Sequence, residues 1–230
     1  MGSNTLVLTS AGKSFVDTRI YLPKSSTDPS LPCKEVLPIS RLEWGFAGTA
    51  QSTPAIHNTS TGTLEKPSHT EWTHWVDSKT MDEVKDEGDM FPKEDGSNEV
   101  LERGAMVNPA TGQVEDYQEF WVDIEPTKLE GEEERRSWVL KTVTEDDEGR
   151  VVRGMIVRIG EYIEGVLRVG EDVGVRRWQW KGSNWEETLR IGRLEEPFDG
   201  KEMGTLVEVG HEVNGKDGIV WKYVEEFSWK

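Results

Sequence analysis

The chain is poor in the residues that most redox and cofactor sites require. Its 230 residues include one cysteine and four histidines, and they contain no motif for a phosphate-binding loop, a nucleophilic triad or a zinc site. Cys33 has no second cysteine with which to pair, which excludes a disulfide framework and is typical of a reducing cytoplasm. The sequence therefore predicts a cytoplasmic protein that uses no metal and no other cofactor.

Positive charge and long hydrophobic runs are also scarce. The 27 basic residues are outnumbered by 44 acidic ones, and the resulting net charge of -17 repels phosphate backbones and anionic lipids. No apolar run is long enough to span a bilayer, and the first residues lack the features of a secretion signal. We therefore expect neither nucleic acid nor a membrane as a partner, while the sequence leaves open whether the protein forms a homodimer.

Tryptophan, in contrast, is abundant, with ten residues in the chain. Its large ring and single N–H donor suit the wall of a cavity that holds an apolar ligand with an occasional polar contact. The alternative is that most of the tryptophans are core residues, because β-strands favour aromatic side chains on a half-buried surface. In the cavity interpretation, the partners of the protein are small apolar molecules.

Short apolar runs recur along the whole chain and alternate with glycine, proline and acidic turns. Such spacing is typical of closed or nearly closed antiparallel sheets. The predicted strands lie in residues 13–23, 41–51, 72–78, 98–107, 114–126, 137–144, 150–160, 162–170, 173–182, 184–194, 204–213 and 218–227. The predicted fold class is all-β, with two consecutive antiparallel β-barrel-like domains of lipocalin-like type.

A polar, charged stretch separates two halves of similar rhythm. Residues 127–136, TKLEGEEERR, carry no large aromatic residue and are predicted to form a linker. The predicted domains are then residues 1–126 and residues 137–230.

The densest chemical cluster is HTEWTHWVDSKT, residues 69–80. In a strand, Trp72 and His74 share one face, while Trp75 and Asp77 share the other. His69 and His74 have opposite parity, so the two imidazoles do not converge on one zinc ion. His74 is the best candidate for a hydrogen-bond donor or general acid in a cavity, and a structural histidine is the alternative.

Three further segments carry candidate chemistry. Arg19 shares a strand face with Asp17, and an inward arginine needs either that carboxylate or a ligand oxygen as its partner. Tyr117 and Trp121 share a face that could be a polar outer surface or one wall of a pocket. The acidic segment 85–96 lacks the ligand spacing of an EF-hand loop and is predicted to be a solvated acidic turn.

Several of these stretches together resemble the fungal Hri family, named after a yeast protein that interacts with a casein kinase I. The resemblance extends from about residue 13 to the C-terminus. The stretches that carry it are FVDTRI, LEWGFAGTA, WTHWVDSKT, VKDEGDMFP, LERGAMVNPATGQVEDYQEFWVDIEP and RGMIVRIGEYIEGVLRVG. The resemblance implies two β-barrel-like domains.

Some fungal proteins that look like this family act as hetero-Diels–Alderases in tropolone sesquiterpenoid biosynthesis. They join an o-quinone methide to a sesquiterpene alkene such as humulene. This resemblance implies a cofactor-independent cyclase of secondary metabolism, in which the cavity aligns the reactants and excludes water. His74, Arg19 and Tyr117 are the candidate catalytic residues. The candidate substrate-binding residues are Trp44, Phe46, Trp72, Trp75 and Trp121.

Two alternatives to the enzyme remain. One is a non-enzymatic interaction protein, a kinase partner whose acidic surface and charged linker serve for docking. The other is a carrier that binds an apolar metabolite without transforming it.

Overall fold

The structure is a computed structural model that describes residues 2–25, 28–93, 95–107, 112–142, 149–192, 208–215 and 218–230. The strands of the first half are β1 (Ser3–Thr9), β2 (Ser14–Tyr21), β3 (Val36–Leu37), β4 (Leu42–Thr53), β5 (Ile56–His57), β6 (Leu64–Lys66), β7 (Ser68–Asp77), β8 (Lys85–Pro92), β9 (Glu99–Val107) and β10 (Val114–Val122). Those of the second half are β11 (Arg135–Thr142), β12 (Val152–Ile159), β13 (Tyr162–Val169), β14 (Asp172–Trp180), β15 (Trp185–Ile191), β16 (Glu212–Asn214) and β17 (Val220–Trp229). One 3-10 turn covers Ile39–Arg41.

The predicted all-β class with barrel-like sheets is confirmed. The interpretation of segment 85–96 as an acidic turn is wrong, because residues 85–92 form β8, whose backbone pairs with β7 and β9. Backbone pairing on both sides outweighs the poor strand propensity of its acidic residues. No strand was predicted for residues 3–9, which form β1. Of the strand predicted at 204–213, residues 204–207 lie outside the described residues.

The chain divides into two compact units by its contacts. Unit 1 comprises Met1–Gly48, His74–Asp82 and Pro126–Lys230, and unit 2 comprises Thr49–Thr73 and Glu83–Glu125. Each of the long strands β4 and β7 is therefore divided, with one part in unit 1 and the other part in unit 2. The domain boundary at residues 127–136 stays a prediction. In the described part of the chain, no helix has the length and apolar character needed to cross a membrane.

Unit 1 contains an eight-stranded sheet in the order β16-β17-β11-β12-β13-β14-β15-β3, antiparallel except between β15 and β3. Side chains from both faces of this sheet are buried. On β12, Ile156 belongs to one apolar cluster, while Met155 and Val157 belong to another. Four tryptophans lie in the first of these clusters: Trp138, Trp178, Trp185 and Trp221. For these four, the core interpretation of tryptophan is confirmed.

In unit 2, the sheet runs in the order β4, β7, β8, β9 and β10, with β10 at its edge. The pairs β7–β8, β8–β9 and β9–β10 are antiparallel. The short strands β5 and β6 form a separate antiparallel pair. Across β8, β9 and β10 the register aligns Gly88 with Gly104 and Gly104 with Tyr117. Because the two glycines carry no Cβ, the side chain of Glu102 can lie close to Gly88, and that of Tyr117 close to Gly104.

Candidate functional site

A buried histidine–aspartate pair lies at the end of β7 in unit 1. His74 Nδ1 is 2.8 Å from Asp77 Oδ2, and the two side chains are only 1% and 2% exposed. Strand alternation predicted opposite faces for these two residues, and that prediction is wrong. Asp77 is the last residue of β7, where the chain leaves the pleat and a spacing of three residues can bring two side chains together.

Asp77 is held as an ionised acceptor. Besides His74, it accepts hydrogen bonds at Oδ1 from the indole N–H of Trp44 (3.0 Å) and the backbone N–H of Lys79 (2.7 Å). Burial alone would raise the pKa of Asp77, but these hydrogen bonds, led by that from His74, lower it below its usual value. Because an ionised carboxylate can only accept, Nδ1 of His74 carries the shared proton.

Aromatic rings surround the imidazole of His74. Phe46 stacks on it with ring centroids 4.3 Å apart, while Trp44 and Phe15 meet it edge-on at 5.8 and 6.2 Å. The second ring nitrogen, Nε2, is buried and has no hydrogen-bond partner among the described residues. Nε2 of His74 is therefore a buried polar atom among aromatic side chains, and Asp77 fixes the orientation of its ring.

Two cations border this cluster. Arg19 lies 5.7 Å from the ring centroids of both Trp44 and Phe46, and it pairs with Asp17 at 2.9 Å. The predicted pairing of Arg19 with a carboxylate is confirmed. Lys79 lies 4.0 Å from the Trp44 ring at the solvent-exposed margin, where partial burial lowers its pKa against the opposing effect of nearby carboxylates. A ligand oxygen near Trp44 would meet positive charge.

In unit 2 a second polar cluster gathers around Glu102. The carboxylate accepts hydrogen bonds from the Tyr117 hydroxyl (2.7 Å) and the Trp121 indole N–H (2.6 Å). Burial raises the pKa of Glu102, and burial together with the nearby Glu102 carboxylate raises the pKa of Tyr117. The Tyr117 proton is already donated within the protein, so a catalytic role requires that bond to break.

The structure brings four of the eight predicted site residues together: His74, Arg19, Trp44 and Phe46. Tyr117 and Trp121 meet each other through Glu102, and Trp72 also belongs to unit 2, opposite Asp86 in the β7–β8 pair. Trp75, next to His74 in sequence, instead packs against the second apolar cluster of unit 1, with Lys141 at 3.8 Å from its ring. The functional roles of all eight stay predictions.

Sequence reasoning did not assign roles to Phe15, Asp77, Lys79 or Glu102. A signal existed for Asp77 and Lys79, because both follow His74 within the segment WTHWVDSKT. None existed for Glu102, which reaches Tyr117 through strand pairing rather than through closeness in sequence.

Comparisons with known proteins identify the family of the chain and nothing finer. The family model described as Protein HRI1 matches residues 2–225, nearly the whole chain. No curated protein matches the chain, and no solved structure does.

Proposed function

The chain belongs to the family of Protein HRI1, and from that premise we propose that it is a cofactor-independent cyclase acting at the His74 cluster. The proposed reaction is a hetero-Diels–Alder cycloaddition between an o-quinone methide and a sesquiterpene alkene such as humulene. The observation that carries the proposal is the buried Nε2 of His74, which has no partner among the described residues, while Asp77 fixes the ring and aromatic side chains surround it.

The chemistry needs little more than these groups. A cycloaddition forms one carbon–carbon and one carbon–oxygen bond without net proton transfer, so alignment and dry surroundings supply most of the acceleration. Holding two oriented reactants together can contribute about 7 to 11 kcal/mol. Apolar walls also keep water from adding to the quinone methide.

His74 supplies the polar contribution. With Nδ1–H donated to Asp77, Nε2 can donate to the oxygen of the oxadiene only when the imidazole is an imidazolium, whose charge the Asp77 carboxylate balances. That hydrogen bond strengthens as negative charge develops on the oxygen. Because Phe46 covers one face of the imidazole, the oxygen approaches Nε2 in the plane of the ring. Arg19, whose guanidinium lies 5.7 Å from the ring centroids of Phe46 and Trp44, adds positive potential.

The test uses purified protein, humulene and a quinone methide generated in solution. We expect the protein to raise adduct yield and stereochemical purity, and H74F to lower the rate about 100- to 1000-fold, the usual effect of losing one such donor. Phenylalanine fits the aromatic surroundings, but H74F also removes one hydrogen bond from buried Asp77, so circular dichroism must first show that the variant is folded. H57A, at an exposed histidine of β5, is the matched control. Product ratios equal to those of a protein-free blank would reject the cyclase, and binding of humulene without turnover would favour the carrier.

One observation favours the interaction protein as a second candidate. A surface depression of about 510 Å³ in unit 1 has three carboxylates and one guanidinium in its lining, around the exposed ring of Phe227: Glu133, Glu134, Glu226 and Arg136. Carboxylates around an aromatic ring suit a basic segment of a partner protein. Binding of a labelled Arg-rich peptide that is lost in F227A would support this role, and equal binding by both proteins would reject it.

A further inference from the structure

A group of metal-ligand side chains lies on one face of the β7–β8 pair in unit 2, apart from the residues assigned to catalysis. His69 and Glu71 are two residues apart on β7, and the antiparallel register places them opposite Asp89 and Glu87 of β8. One ligand atom from each of His69, Glu71 and Glu87 lies within 4.8 Å of the other two. Two paired strands therefore bring a nitrogen donor and two oxygen donors to one place.

The imidazole of His69 is already oriented. Its Nδ1 lies 2.9 Å from Asp89 Oδ1, and its Nε2 lies 3.7 Å from Glu87 Oε2. A carboxylate that accepts from one imidazole nitrogen while the other faces a ligand set is the usual arrangement behind a metal-bound histidine. Ligand atoms around a tetrahedral zinc ion stand roughly 3.3 Å apart, given bond lengths near 2.0 to 2.1 Å, so small side-chain rotations would close the site.

The opposed carboxylates supply a second, separate argument. Glu71 and Glu87 face each other directly across the strands, and like charges in that relation destabilise a sheet. Among the described residues, the Glu71 carboxylate has no ion-pair or hydrogen-bond partner. A bound cation would remove this repulsion and hold β7 to β8.

We propose that His69, Glu71 and Glu87 bind a divalent transition metal ion such as Zn²⁺, with Asp89 as the residue that orients His69. The nitrogen donor selects against Ca²⁺ and Mg²⁺, which prefer all-oxygen sites. Zinc was not predicted from the sequence, because His69 and His74 lie on opposite strand faces. The other proposed ligands are Glu71 of β7 itself and Glu87 of β8.

The proposal is tested with Co²⁺, a spectroscopic substitute for Zn²⁺, on the full chain. We expect saturation at one ion per chain, with the visible absorption of a four- or five-coordinate site, and displacement of Co²⁺ by added Zn²⁺. H69A should abolish this absorption, and D89N should weaken affinity about 10- to 100-fold, as is usual for the residue behind a ligand. The matched control is H57A, at an exposed histidine of the same unit, and it should bind like the wild type.

Three outcomes would overturn the assignment. The first is the absence of saturable binding of Co²⁺ or Zn²⁺. The second is equal binding by H69A and the wild type, which would place the ion elsewhere. The third is binding of Ca²⁺ without a Co²⁺ spectrum, which would make the site purely oxygen-based. Circular dichroism of each variant checks that these surface substitutions leave the fold intact.

Discussion

Single residues of the His74 cluster show how stability and chemistry share the same contacts. Asp77 is buried and accepts three hydrogen bonds, so it stabilises the end of β7 while it fixes the imidazole. The same pairing leaves Nε2 of His74 buried and without a hydrogen-bond partner among the described residues.

We expect D77N to lower the free energy of unfolding at pH 7 by about 1.5 to 3 kcal/mol, because hydrogen bonds to a charged group are lost. The pKa of Asp77 is below its ordinary 3.8 in the folded chain. Its contribution is therefore complete above pH 3.8 and disappears as the pH falls through the folded pKa. Urea denaturation across pH measures this difference.

The control for D77N is D172N, at the exposed first residue of β14. It should change stability by no more than about 0.5 kcal/mol, as surface substitutions usually do. Equal effects of the two substitutions would contradict the structural role given to Asp77.

At the scale of elements, the packing of β9 between β8 and β10 requires a glycine at position 104. A Cβ placed on Gly104 would lie 2.5 Å from the Glu87 carbonyl oxygen and 2.5 Å from the Tyr117 ring. At Gly88 the nearest atoms belong to the Glu102 side chain, at 2.9 Å. A side chain can rotate away, whereas the backbone of β8 cannot.

G104A should therefore lower the free energy of unfolding by about 1 to 3 kcal/mol, the usual cost of overpacking. G88A is the matched control, and its cost should be smaller because a side chain, that of Glu102, has to shift rather than backbone. That shift strains the hydrogen bonds of Glu102 with Tyr117 and Trp121, so the cost is not zero. Thermal melting of the two variants and a change in Trp121 fluorescence measure the effect. A G88A variant less stable than G104A would contradict this account of the sheet.

A second contact between elements joins β2, β13 and β14 inside unit 1. Glu164 is fully buried and accepts hydrogen bonds from the Thr18 hydroxyl and from Arg177 Nε. Burial is the main cause that raises its pKa from 4.5 to about 7, although Arg177 opposes the shift. Its second carboxylate oxygen, Oε2, is buried with no partner among the described residues.

The raised pKa gives a defined pH dependence. Between pH 4.5 and 7 the folded chain holds a proton on Glu164 that the unfolded chain has released, so stability falls as the pH rises through this window. The fall should reach roughly 3 kcal/mol at most, at 1.36 kcal/mol for each pKa unit. Denaturation of the wild type and E164Q at moderate salt measures it. We expect a flatter profile for E164Q, and parallel profiles would contradict the assignment.

Strand positions followed from the sequence where a short apolar run is bounded by turn residues, as in β12. Prediction failed where pairing decides the structure: β8 is too acidic to suggest a strand, and its partners on β7 and β9 are set by register. The same reason explains why Glu102 was missed beneath Tyr117. Asp77 is the last residue of β7, so the alternation of side chains between faces did not predict its contact with His74.

Across the whole molecule, the scarcity of motifs and the abundance of tryptophan have separate explanations. Part of the tryptophan set fills the core of unit 1, while Trp44 covers the one buried histidine that Asp77 orients. We expect the net charge of -17 to disfavour binding of anionic molecules. The features proposed for catalysis are therefore few, and they centre on His74.

The most direct test of that centre is a nitrogen-15 NMR titration of the imidazole groups with humulene and salicylaldehyde, a stable analogue of the quinone methide. The account predicts that the Nε2 signal of His74 and the indole N–H signal of Trp44 shift together and saturate, while the signals of exposed His57 stay unchanged. Saturating ligand that leaves the His74 signals in place would contradict it.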